Sequence, residues 1–204
     1  MNDYIESIRR AMKGRVFVAI DAANLERSVQ DMWVNPKDIT DVLRKNSASD
    51  LRYRVDYKKI KEFFQKEGSV EEIKFYTPDF QTVGHRKFLS FLSNLTYRLN
   101  TKPLKNYADH TPELPHRKAN FDVEIAVDAV FRLQSYDTFI LFSGDCDFEY
   151  LIKFLRGQGK IVIIFSRAGH IAKELPPAAT RYFDIVDFRK ELLKMDVRRA
   201  KNPA

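Results

Sequence analysis

The sequence predicts an α/β domain: a mostly parallel sheet with helices packed on both faces. Three observations carry this. Continuous β-branched and aromatic runs recur at 16–20 (VFVAI), 72–77 (EIKFYT), 137–143 (DTFILFS) and 160–165 (KIVIIF). Runs that are apolar at nearly every position suit strands buried on both faces, as in a parallel sheet covered by helices. Between them lie segments with helical apolar spacing, and strand–helix alternation is the pattern of right-handed crossovers. Finally, Gly68, Pro78, Gly157 and Gly159 fall where one type of segment gives way to the next.

Taken in order, residues 3–12 read as a short helix, within an N-terminal extension over 1–14. The main domain spans 15–188 and starts with the strand 16–20, which ends at Asp21. Residues 24–32 open a helix, and the polar stretch 35–55, with Pro36 and RKNSASD, reads as a helix and a loop. An amphipathic helix over 56–66 leads to the strand 72–77, and a second over 85–97 leads to a weaker strand at 101–107. Residues 108–119 hold two prolines and no apolar period, so they form a loop. A helix over 121–134, the strand 137–143, a helix over 147–156 and the strand 160–165 complete the alternation. A short helix at 169–175 precedes Pro176-Pro177, and 182–188 adds an edge strand. The remainder, 189–204, reads as a C-terminal helix over 189–199 and a basic tail.

Bulk properties narrow the partners. A chain of 204 residues with 44% apolar content is long and apolar enough for a real core, which excludes a disordered chain. The net charge of +7 favours polyanionic partners. The single cysteine, Cys146, excludes an internal disulfide and a cysteine-rich zinc site, and suits a reducing compartment. The N-terminus has no apolar run of the signal-peptide kind, and no stretch is long enough to span a bilayer. A soluble, cytoplasmic protein with no membrane contact is expected. No Gly-rich phosphate loop and no GxGxxG follows the first strand.

The carboxylates fall where an open α/β sheet places its ligands, just beyond the carboxyl ends of strands. Asp21 follows the first strand, and Asp145 and Asp147 follow DTFILFS across Ser143-Gly144. Asp122 starts the helix before that strand. If the first and fourth strands are neighbours, these acids converge. Converging carboxylates repel unless a cation or a raised pKa relieves them. Oxygen donors of this kind suit Mg²⁺ or Mn²⁺, which support phosphodiester hydrolysis. Asp122 and Asp145 have a second reading as helix N-caps. A charge at the end of a buried strand, as at Asp21, is costly without a partner. Asp128, six positions after Asp122, lies about 120° away around an ideal helix. It reads either as an outer residue of the site or as a solvated one. Cys146, between two acids, should have a raised thiol pKa and no nucleophilic role. His116, Arg117 and Lys118 lie in the loop before Asp122 and suit phosphate binding or plain solvation. Trp33, Tyr76 and Phe80 are candidates for base stacking or for the core. His85 and His170 read as structural or exposed.

The blocks IDAANLE (20–26), KANFDVEIAVDA (118–129) and SGDCDFEYLIKFLRGQGKIVIIF (143–165) resemble the motifs of NYN domains, closest to the LabA-like branch of the PIN-like nuclease superfamily. The resemblance spans roughly 15–187. It implies a Rossmann-like three-layer α/β/α sandwich with a five-stranded sheet of order 3-2-1-4-5, a Mg²⁺ or Mn²⁺ site and ribonuclease activity. By motif, Asp21, Asp122 and Asp145 match the metal ligands and Asp147 an outer companion of Asp145. Asn24 matches a positioning residue and Asp128 the second acid of its block, with Ser143 bonding a ligand carboxylate. Ala22-Ala23 departs from the glycine common in the family. Ala172 and Thr180 depart from its C-terminal pattern, and 27–55 is longer than a minimal domain needs. The expected function is a metal-dependent endoribonuclease acting on RNA or another nucleic acid, as a monomer or a homodimer. Two alternatives stand beside it: an RNA-binding adaptor with weak catalysis, and a metal-dependent phosphatase or nucleotidase for a small substrate.

Overall fold

The computed structural model describes residues 3–39, 43, 50–106 and 117–197. Ten strands and eight helices are found among them. In chain order they are α1 (Asp3–Ala11), β1 (Arg15–Asp21), α2 (Ala22–Gln30), β2 (Leu51–Val55), α3 (Tyr57–Glu67), β3 (Ser69–Asp79), α4 (Val83–Asn94) and β4 (Arg98–Pro103). The chain continues through the two-residue strands β5 (Lys105–Asn106) and β6 (Arg117–Lys118) into α5 (Asp122–Phe131) and β7 (Thr138–Phe142). It ends with α6 (Glu149–Gly157), β8 (Ile161–Ser166), α7 (Leu175–Ala178), β9 (Arg181–Asp184), α8 (Arg189–Leu192) and β10 (Leu193–Val197).

The main sheet has the order β4-β3-β1-β7-β8-β9, and all of its pairings are parallel. This is the expected five-strand order with β9 added as a sixth, edge strand. The sheet is the middle of three layers because side chains alternate across it. Val16, Val18 and Ile20 of β1 pack with α2, α3 and α4 through Leu25, Phe64 and Leu92. Phe17 and Ala19 face the opposite core with Ile125 of α5, Ile152 of α6 and Leu175 of α7. Each such buried Phe, Leu or Ile stabilises the fold by about 1.5–3 kcal/mol. The N-terminal helix joins the first of these cores through Ile8, and its Arg9 bonds the carboxylate of Glu67 at 2.6 Å.

Several elements differ from expectation. In the segment 35–55 the described residues include a 3-10 turn (Pro36–Asp38) and β2, and 193–197 is a strand instead of helix. These two strands pair antiparallel, Leu193 with Val55 and Met195 with Tyr53. Their partners lie far apart in sequence, so no local pattern announces the ribbon. The C-terminal helix shrinks to one turn, Arg189–Leu192. Pro176 and Pro177 sit inside α7, in the first turn, where a missing N–H costs nothing. β3 runs on through Pro78 to Asp79, where it has outrun β1 and pairs only with β4. β4 begins earlier than expected, at Arg98. His116, most of the 108–119 loop and the basic tail lie outside the described residues.

Candidate functional site

β1 and β7 are parallel neighbours, with Ile20 beside Phe142, so Asp21 and Ser143 leave the sheet side by side. Asp21 caps α2 by accepting from the Asn24 N–H at 3.3 Å. The Ser143 hydroxyl donates to the second Asp21 oxygen at 3.3 Å and accepts from the Asp145 N–H at 3.3 Å. The Asn24 side-chain oxygen accepts from the Gly144 N–H at 2.9 Å, which ties α2 to the same turn. A Cβ on Gly144 would fall on the His170 carbonyl oxygen, and the Ala172 N–H donates to the Gly144 carbonyl at 2.9 Å. Glycine is required there for the close approach of two backbones.

Asp145 caps the turn Cys146–Phe148 by accepting from the Asp147 N–H at 3.2 Å. The cap uses one carboxylate oxygen, so the cap and site readings of Asp145 are compatible. For Asp122 the cap reading fails: Phe121 holds the N-cap position, and Asp122 is the first helical residue of α5. Its own N–H is bound by the Asn120 side chain at 3.1 Å, and its Oδ2 is buried with no hydrogen-bond partner.

The four acids act on one another. Burial pushes Asp21 up to about 6. The Asn24 and Ser143 hydrogen bonds partly oppose this, while the charges of Asp122 and Asp145 add to it. Asp122 is raised by burial and by the charges of Asp145, Asp147 and Glu124, against the Asn120 hydrogen bond. Among the described residues, no Lys, Arg or His pairs with Asp21, Asp122, Asp145 or Asp147. A crowded set of hard oxygen donors, half-buried at Asp21, Asp122 and Asp145 and with one orphaned buried oxygen on Asp122, fits a divalent cation of the Mg²⁺ or Mn²⁺ type. Asp145, Cys146 and Asp147 each bring a potential ligand atom within 4.8 Å of the others. Desolvation and the two flanking carboxylates raise the exposed Cys146 thiol, as expected, so it is neither a nucleophile nor a soft ligand at neutral pH.

Asp128 is not brought to this group. Its carboxylate pairs with the Lys74 ammonium at 2.5 Å and accepts from the Tyr76 hydroxyl at 2.9 Å. Tyr76 is fully buried, so its base-stacking reading is corrected to a core one. Trp33 is 89% exposed, and Phe80, half exposed, packs edge-on against His85. His170 lies against Arg167, whose charge together with burial lowers its pKa. Arg117 and Lys118 form the β6 backbone, paired with Asn106 and Lys105 beyond the carboxyl end of β4. Their side chains lie outside the described residues. One neighbour was missed in the sequence: Lys102 pairs with Glu124 at 2.6 Å and lies 4.5 Å from the Phe121 ring centroid. It lies in β4, just before Pro103, and no local pattern marks it.

The model of the NYN domain matches residues 15–187. The chain belongs to the NYN family. NYN domains are a PIN-like nuclease family. "Low amplitude and bright protein LabA" of Synechococcus elongatus is 33% identical over 144 residues, covering 69% of this chain and 77% of that protein. A solved structure of a protein of unknown function from Vibrio parahaemolyticus has a TM-score of 0.65 at 20% identity, over 90% of this chain and 98% of that one. That likeness concerns the fold alone. In this NYN domain the Ala22-Ala23 departure leaves the Asp21 cap intact, with Ala22 buried under the first turn of α2. No helix among the described residues is long and apolar enough to cross a membrane.

Proposed function

We propose that this NYN domain is a divalent-cation-dependent endoribonuclease, with residues 15–188 as its catalytic unit. The observation that carries the reading is the convergence of Asp21, Asp122, Asp145 and Asp147 with no basic partner among the described residues and one orphaned buried oxygen. Asp21, Asp122 and Asp145 would hold the cation, and Asp147 stands outside them. A bound Mg²⁺ or Mn²⁺ neutralises the scissile phosphate and lowers the pKa of the attacking water. Ser143 and Asn24 hold Asp21 and the Gly144 turn at fixed positions, so the donors are organised before the ligand arrives. Arg117 and Lys118, on the ribbon beyond the strand ends, would hold neighbouring phosphates. The net charge of +7 favours a polymer over a small phosphate ester, against the phosphatase reading. The lone, exposed Cys146 suits a reducing compartment such as the cytoplasm.

The test is cleavage of labelled single-stranded RNA with Mn²⁺, with Mg²⁺ and with EDTA, beside Asp145→Asn. Cation-dependent cleavage that falls at least about 10²-fold in the variant is the expected outcome. RNA binding without cleavage would replace this reading with the adaptor one. Hydrolysis of a small phosphate ester, with no RNA cleavage, would favour a phosphatase.

A further inference from the structure

The cation site leaves unused a cleft of about 610 Å³ on the far side of α2. α2 and the β2–β10 ribbon form its walls with α4, and they contribute Arg52, Arg54, Phe88, Phe91 and Lys194. The rings of Tyr57 and Phe88 pack on Phe75, with centroids 5.1 and 6.0 Å away. Phe75 pairs with Ile20, the residue before Asp21. α2 itself runs from Asp21, which caps its start, to Glu26, Val29 and Gln30, which line the cleft.

The chemistry of the lining is that of a nucleotide site. Its two acids are already engaged: Glu26 accepts from the Tyr57 hydroxyl at 3.0 Å, and Asp56 caps α3 by accepting from the Lys58 and Lys59 N–H groups at 3.1 and 3.2 Å. Arg54 is paired at the surface with Asp196. Arg52 stands across the ribbon from Asp196 and its charge acts on that carboxylate, with its Nε buried and unbonded, while Lys194 is exposed and makes no ion pair among the described residues. Phe91 leaves nearly half its surface, 46%, in water. Three cations, Arg52, Arg54 and Lys194, share the single carboxylate of Asp196 on the ribbon, and this positive excess beside a bare aromatic ring matches a phosphate and a stacked base.

We infer that this cleft binds a nucleotide of single-stranded RNA outside the cleavage site, its phosphate on Arg52 and Lys194 and its base on Phe91. The inference rests on the nuclease reading for the identity of the polymer. It makes the β2–β10 ribbon, which the sequence reading took for parts of a helix and loop and of a C-terminal helix, a substrate-binding element.

The test measures binding of a fluorescent 12-nucleotide RNA in EDTA, by anisotropy over a salt series, with the full chain. Phe91→Ala is expected to weaken binding about tenfold. Arg52→Gln and, separately, the exposed Lys194→Gln are expected to lower the slope of log K against log salt by about 0.7 each, as one phosphate contact per residue predicts. Cleavage of a labelled dinucleotide, too short to reach the cleft, should be unchanged in all three. Wild-type binding by folded Phe91→Ala and Lys194→Gln overturns the inference, as does displacement of the RNA from wild type but not from these variants by an acidic polypeptide alone. Asp145-dependent cleavage with unchanged binding in the variants refutes the cleft and leaves the nuclease standing. Cleft-dependent binding with no cleavage refutes the nuclease and leaves the cleft.

Discussion

Asp122 and Asp128 sit six residues apart on α5, and the protein treats their charges in opposite ways. Asp128 turns to Lys74 and the hydroxyl of buried Tyr76, so its charge is matched inside the molecule. Asp122 joins Asp21, Asp145 and Asp147, where burial and the neighbouring carboxylates raise Asp21 and Asp122 and no described cation answers them. A fold selected for stability alone would match both. The difference teaches where this protein keeps an electrostatic deficit for something outside it to fill, at a stability cost to the metal-free chain.

The comparison breaks most decisively in catalysis. Asp145→Asn is expected to lower RNA cleavage at least about 10²-fold, while Asp128→Asn, assayed well below its melting temperature, stays within about tenfold of wild type. An equal loss in both would move Asp128 into the catalytic group. The next largest effect is thermal. Mn²⁺ at 100 times its Kd should stabilise the wild type by about 2.7 kcal/mol, a Tm rise of roughly 5–10 °C, and Asp21→Asn should show little of it. A cation-dependent shift that survives Asp21→Asn would place the ion elsewhere.

Smaller effects sharpen the contrast without any cation. Asp128→Asn leaves the Lys74 ammonium without its counter-charge and should cost about 2 kcal/mol, read from urea unfolding in EDTA. Asp21→Asn should do the opposite. The folded Asp21 value, about 6, lies above the 3.8 of the unfolded chain. Folding therefore disfavours its ionised form, and its contribution falls as pH rises from about 4 through 6 and then stays level. Metal-free Asp21→Asn should be more stable than wild type by about 1–2 kcal/mol at pH 7.5 and equal to it near pH 4. Destabilisation at pH 7.5 would show that the Ser143 and Asn24 hydrogen bonds outweigh the repulsion.

Much of this was legible in the chain. The runs at 16–20, 137–143 and 160–165 are strands because an apolar run with no polar face can only be buried on both sides. Asp21, Ser143 and Asp145 were placed correctly, since a residue just past a parallel strand must emerge at the carboxyl rim. The β2–β10 ribbon was not legible, because strand pairing across so long a separation leaves no local period. Nor was the fate of Tyr76, whose hydroxyl is satisfied inside the core by a residue on another element.

The sequence by itself determined the fold class and which acids stand just past a strand or at a helix start, because strand ends and helix starts are set by local patterns. Only the tertiary structure decided which carboxylates are matched and which are left exposed to one another. That depends on Lys74 of β3 meeting α5, and on the first and fourth strands lying side by side, and charge compensation is a property of distance in space and not along the chain.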